Sequence, residues 1–264
     1  MRPNRRALKQ LILTGDDFGR SAAINEAIER HHRAGVLTQA SLMVNERAVD
    51  EAVHIAWRNP RLCVGLHLTL GAGRAARVSP ITDLAGNFIG SPALAGLRYA
   101  FDPRAAEPLG HEIAEQFARF RELGFGATHV DGHTHLHLHP IILRTLLGPL
   151  AAGRFKMLRL VREPGNFAPI ALVFRALSAA AIRPLRCIGV RVADQVFGLQ
   201  DTGRMTGERL GSLIARLPNG LSEIYFHPGA EPDEPDFAPL RELLDGNEIV
   251  LTSAATLPPP PGAA

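Results

Sequence analysis

The sequence predicts a (β/α) barrel, TIM-barrel-like and built as a single domain. Three observations predict it. Short apolar runs alternate with helix-period segments, no linker divides the 264 residues, and four histidine- or aspartate-bearing motifs each stand at the end of an apolar run. Alternation does not by itself show closure, so a doubly wound open sheet stays as the alternative architecture.

Taken in order, the strand-like runs are residues 11–14, 40–44, 63–70, 127–131, 157–161, 189–192, 223–227 and 248–252. Between them, residues 22–34, 112–123, 141–150 and 207–217 carry apolar side chains at three- and four-residue spacing, the period of an amphipathic helix. Ser21 is placed to cap the first helix. Residues 71–102 are Gly-rich and weakly periodic, and read as an insertion after the third strand. The barrel is expected to occupy residues 1–256, followed by a disordered Pro-rich tail over 257–264.

Composition narrows the function classes. The chain is 46% hydrophobic and 21% charged, enough for a sizeable core, and its net charge is only +3. Its basic residues are scattered apart from small groups at Arg2, Arg5, Arg6 and Lys9 and at Arg183, Arg186 and Arg191, too few for a nucleic-acid stripe. Cys63 and Cys187 stand 124 positions apart in apolar contexts and read as buried, reduced packing residues. No signal-peptide pattern precedes the first strand and no apolar run is long enough to span a bilayer. The expected location is the cytoplasm, and peripheral contact at the inner membrane face is compatible with it.

Four motifs carry the chemistry. Thr14-Gly15-Asp16-Asp17-Phe18-Gly19 follows an apolar run, and two adjacent carboxylates raise each other's pKa unless a cation lies nearby. His67 sits in Val64-Gly65-Leu66-His67-Leu68, where a lone histidine suits core packing as well as ligation. Five of the eleven histidines fall between His129 and His139, interleaved with Asp131 and Gly132. On an extended strand His133 and His135 would face the same way, about 7 Å apart, whereas the run from His133 to His139 would span about 20 Å. Pro140 marks the start of a helix, which leaves His137 and His139 in the connection. Finally, Glu223-Ile224-Tyr225-Phe226-His227-Pro228-Gly229 delivers a histidine at a strand end. Asp17, His67, His133 and His227 therefore all fall at C-terminal ends of strands, the rim where α/β barrels gather catalytic residues.

In this order and over residues 11–229, these motifs resemble those of the YdjC-like carbohydrate deacetylases. The resemblance implies a distorted (β/α) barrel, hydrolysis of the N-acetyl group of an amino sugar, and one divalent ion on Asp17, His67 and His133. Gly132 stands where the family often has Ser or Ala. Asp194-Gln195-Val196-Phe197-Gly198, Gly203-Arg204-Met205-Thr206 and residues 222–229 resemble the branch associated with hopanoid biosynthesis, which implies an N-acetylglucosaminyl hopanoid lipid as substrate.

Roles can then be assigned as expectations. Two imidazoles and a carboxylate leave coordination positions open, as catalytic sites require. Imidazole favours zinc, while the resemblance points to magnesium. Asp16 is the candidate general base and His227 the candidate general acid. Either His135 or Asp131 would orient a ligand imidazole. Arg159 and Arg162, after the fifth strand, are placed to contact substrate hydroxyls or to lie on the surface. Residues 167–182 are almost wholly apolar and read as an outer helix or as an interfacial one that receives a lipid-linked sugar. A glycolipid or amino sugar is the expected partner, and a homodimer is compatible with this reading. The competing functions are a chito-oligosaccharide deacetylase, another metal-assisted hydrolase such as a two-metal phosphoesterase, and a non-catalytic metal- or sugar-binding protein.

Overall fold

A computed structural model describes residues 8–230 and 237–258. Its elements run β1 (Lys9–Phe18), α1 (Ala22–Arg33), β2 (Gln39–Leu42), α2 (Val49–Arg58), β3 (Cys63–Leu68), α3 (Pro92–Phe101), α4 (Ala106–Glu122), β4 (His129–Gly132), α5 (Pro140–Gly153), β5 (Met157–Leu158), α6 (Pro169–Cys187), β6 (Gln195–Phe197), α7 (Gly207–Ala215), β7 (Gly220–Phe226), α8 (Phe237–Gly246) and β8 (Ile249–Leu251). Ser21 caps α1 by accepting from the Ile24 amide, and Ser91 and Thr206 do the same for α3 and α7. Proline occupies the first turn of α3, α5 and α6, where a missing amide proton costs nothing.

The strands form one parallel sheet in the order β5-β4-β3-β2-β1-β7-β6. The sheet curls, and an isolated parallel bridge ties Met157 of the β5 edge to Arg191 in the segment that leads into β6. The single-domain α/β fold with helices outside a curled parallel sheet is as expected, and among the described residues the strands form a half-barrel. Residues 189–192 give only that bridge, and the paired strand lies further on at Gln195–Phe197. The last strand is also displaced. β7 pairs with β1 from Lys9 to Gly15, so β8, paired at Lys9–Leu11, shares the opposite edge of β1 with β2.

Period-two alternation sorts the strand residues into two populations. Outward residues such as Leu11, Leu13, Val64, Leu66, Val130, Leu158 and Ile224 pack beneath the helices in the main apolar core. The concave side holds Ile12, Cys63, Met157, Val196 and Leu221 at the N-terminal end, sealed by Ala254 and Leu257. Moving towards the C-terminal ends along the same strands, the concave side becomes polar: Thr14 and Asp16 on β1, Gln39 and Ser41 on β2, His67 on β3, His129 and Asp131 on β4, Glu223 on β7.

Two expectations are modified. Cys63 is buried, but Cys187 ends α6 and is exposed, because its apolar neighbours belong to a helix rather than a strand. The insertion after β3 contains α3 and the bridges Arg74–Asn87 and Thr82–Phe88. Of the tail read from 257, Leu257 is buried in the concave seal and Pro258 accepts a hydrogen bond from Arg191; residues 259–264 lie outside the described residues, as do Arg2, Arg5 and Arg6.

Candidate metal centre

β1 delivers both aspartates. Strand alternation would send Asp16 and Asp17 to opposite faces, but Asp17 adopts a left-handed backbone with φ 63°. Aspartate tolerates that region better than most residues, at a cost of about 1–3 kcal/mol. The reversal keeps both carboxyl groups near His67. An Asp16 oxygen lies within 4.8 Å of a His67 ring nitrogen, and Asp17 Oδ1 lies 3.3 Å from His67 Nε2.

Asp17, His67 and His133 converge, one from β1, one from β3 and one from just beyond β4, with all their ligand atoms within 4.8 Å of one another. His133 Nδ1 is 2.9 Å from Asp17 Oδ1, and Arg20 holds the other Asp17 oxygen at 2.6 Å. Behind this trio His67 donates from Nδ1 to Asp131 Oδ1 at 2.7 Å. That bond fixes the ring and directs Nε2 towards Asp17, the pattern by which carboxylates orient metal-binding imidazoles. Ser41 in turn donates to Asp131 Oδ2 at 2.7 Å.

Arg159 is the hub beneath the trio. It is buried and grips Asp16 with both terminal nitrogens at 2.7 and 2.9 Å, Asp131 at 2.7 Å and Glu223 at 2.9 Å. Its guanidinium also lies 4.4 Å from the Tyr225 ring centroid. The expectation that Arg159 reaches substrate hydroxyls or lies on the surface is thereby corrected: its donors are spent inside the fold. Arg162 donates to the Ala193 and Asp194 carbonyls and so ties down the approach to β6.

Electrostatics follow from this wiring. Burial opposes charge on His67, but Asp131 and Asp16 outweigh it and push its pKa up to about 10. Burial likewise works to raise the Asp17 carboxyl, yet hydrogen bonds and charge from His133 and His67 hold it well below the usual carboxylate range. Arg159 is driven further into its charged form by Asp131, Asp16 and Glu223 against the effect of burial. Glu223 is pushed up by burial.

The histidine cluster departs from an extended strand. Thr134 and His135 both have positive φ inside the 3₁₀ segment His133–Leu138, so side-chain alternation does not apply. His133 turns to Asp17, whereas His135 packs against Phe174 and bonds the Tyr225 hydroxyl through Nε2 at 3.0 Å. His137 donates from Nε2 to the Arg159 carbonyl at 2.9 Å, and burial pushes its pKa down to about 4. His139 precedes α5, which begins at Pro140. Gly132 is explained here: a Cβ would lie 2.7 Å from His137 Nδ1. Gly65 has a matching reason, since its Cβ would lie 2.4 Å from the His129 ring. His227 follows β7 beyond Phe226, partly buried, with its ring 6.4 Å from that of Tyr225.

The residues fit a cation. Asp17 Oδ1 and His67 Nε2 are buried and converge, yet neither makes a hydrogen bond of good geometry. Buried polar atoms left in that state are costly unless another partner binds them. A second group, Asp16, His67 and Asp131, meets the same distance test, but the Arg159 guanidinium already bridges its two carboxylates. Sequence reading gave no role to Glu223, Ser41, His129 or Tyr225. A signal was present, because Ile12, Thr14 and Asp16 share one strand face, as do Glu223 and Tyr225.

Comparison with known proteins agrees with this architecture. A carbohydrate deacetylase from Mus musculus is 34% identical over 243 residues, covering 83% of this chain and 78% of the relative. A carbohydrate deacetylase from Geobacillus stearothermophilus is 36% identical over 225 residues, covering 82% and 78%. Among solved structures, an Enterococcus faecalis protein named for cellobiose-phosphate cleavage superposes with a TM-score of 0.71 at 20% identity, covering 94% of this chain and 98% of its own, a likeness of fold. Residues 10–253 match the family described as YdjC-like protein, and the chain belongs to that family.

Proposed function

We propose that this protein is a metal-dependent deacetylase that hydrolyses the N-acetyl group of an amino sugar. The observation that carries the reading is the convergence of Asp17, His67 and His133 on one point, with Asp131 holding the back of His67. The carbohydrate deacetylases of mouse and Geobacillus stearothermophilus support the substrate class.

Asp17, His67 through Nε2 and His133 would hold one divalent ion, zinc or magnesium, with positions left for water and substrate. When bound, such an ion polarises an acyl oxygen and acidifies water. Asp16 takes the proton of the attacking water, and the Arg159 fork fixes the direction of that carboxylate. His227 gives a proton to the departing amine nitrogen, since an imidazole titrates near neutral pH. Asp131 keeps the Nδ1 proton of His67 in place and so leaves Nε2 free. In the finer reading the acceptor is a glycolipid, an N-acetylglucosaminyl hopanoid, as the segments 194–198 and 203–206 suggest; a chito-oligosaccharide is the alternative.

The two-metal phosphoesterase reading is disfavoured by one feature. Asp16 and Asp131 are already bridged by Arg159, a built-in cation where a second ion would sit.

Acetate release tests the reading. Metal-replete protein should release acetate from N-acetylchitobiose or from an N-acetylglucosaminyl lipid, and lose that activity with chelator. Release from the lipid alone selects the glycolipid acceptor. No release from either substrate overturns the deacetylase assignment.

A further inference from the structure

The exposed apolar residues are not scattered. Of the thirteen large apolar side chains exposed among the described residues, six belong to residues 71–102 and four to residues 167–173. Single exposed apolar residues are ordinary, whereas clusters mark interaction surfaces. On α3 they are Leu94, Leu97 and Phe101, the last 80% exposed; before and along the first turns of α6 they are Phe167, Ile170 and Val173, with Phe167 74% exposed.

Topology brings the two clusters to one rim. α3 lies in the connection leaving the C-terminal end of β3, and α6 begins after the connection leaving the C-terminal end of β5. β4 lies between those strands, and both helices pack on the 3₁₀ segment His133–Leu138 that leaves it. The apolar side chains therefore flank the segment that carries His133.

Charge identifies the occupant. Neither α3 nor α6 contains an acidic residue; Arg98 on the first pairs with Asp102 at its C-terminus, and Arg175, Arg183 and Arg186 stand on the second. Beside the apolar turns of α6, a cleft of about 490 Å³ is lined by Arg162, Leu172, Arg175, Ala176 and Ala179. Arg162 Nε is buried without a hydrogen-bond partner, although Nη2 of the same guanidinium donates to the Ala193 and Asp194 carbonyls. Two guanidinium groups over an apolar floor suit a phosphate ester. Among the described residues no helix is long and apolar enough to cross a membrane.

We propose that α3 and α6 form a docking surface for an anionic phospholipid bilayer, with the cleft between Arg162 and Arg175 receiving a headgroup phosphate. Shallow apolar insertion combined with basic side chains is how peripheral proteins hold to such surfaces. The proposal rests on this surface and not on the deacetylase reading, although docking here would bring the rim to lipid-borne sugars.

Co-sedimentation with vesicles tests it. Wild-type protein should bind vesicles of phosphatidylcholine mixed with phosphatidylglycerol, bind phosphatidylcholine alone weakly, and release as salt rises. Arg175→Glu should lower partitioning about tenfold, and Phe167→Ser/Ile170→Ser should abolish it, with native circular dichroism in both. Binding of inorganic phosphate in calorimetry without any vesicle binding would show a free-anion site and overturn the membrane assignment. So would a dimer in light scattering that the double variant dissociates, because the face would then join two copies. Wild-type binding by both variants would overturn it equally.

Discussion

Cys63 and His67 stand four residues apart on β3 and on the same side of the sheet, yet they belong to different environments. At the N-terminal end the concave side is closed by Ile12, Cys63, Met157, Val196 and Leu221 under the seal of Ala254 and Leu257. At the C-terminal end the same strands present Asp16, His67 and Asp131, cross-braced by Arg159. The lower half resembles an ordinary core, whose burial stabilises by about 25 cal/mol per Å² of apolar surface. The upper half contributes little net stability, because desolvating its charges cancels most of their attraction. What it provides is fixed geometry. One set of strands thus divides the labour: the lower half holds the sheet curled, and the upper half points side chains at one another.

Substitutions should separate the halves. His67→Ala removes a proposed ligand, and we expect turnover to fall below detection and the bound ion to be lost, read by acetate release and elemental analysis. His227→Ala should lower turnover about 10²–10⁴-fold while ion content stays at the wild-type level. Loss of the ion in that variant would instead make His227 a ligand. Asp131→Asn should weaken ion affinity about 10–100-fold, measured by titration after chelation, since His67 would lose the carboxylate that fixes its tautomer. Ile12→Ala, in the lower half, should cost about 2–5 kcal/mol of stability in urea unfolding yet leave turnover at moderate temperature unchanged. A drop in its turnover comparable to that of Asp131→Asn would erase the proposed division.

Much of this division is written in strand parity. Ile12, Thr14 and Asp16 alternate on β1, and Met157 and Arg159 share a face, so a register would have turned Arg159 inward. The sequence contains no register, because pairing partners lie far apart in the chain and each strand is short: β5 has two residues. The trio Asp17, His67 and His133 was legible because each ends an apolar run. The directions of Asp17 and His135 were not, since each depends on a left-handed backbone that tertiary contacts hold in place. The place of the sixth strand was misread for a related reason. Residues 189–192 have the composition of a strand, but only Arg191 finds a partner, and Gln195–Phe197 pair with β7 instead. Cys187 shows the remaining ambiguity, that a short apolar run reads alike at a helix end and in a strand.

The most direct test of the central claim is the ion content of purified protein compared across three variants. The account predicts one divalent ion per chain in wild-type, His227→Ala and Ile12→Ala protein, and none in His67→Ala. An ion retained by His67→Ala, or absent from the wild type after metal loading, would contradict it.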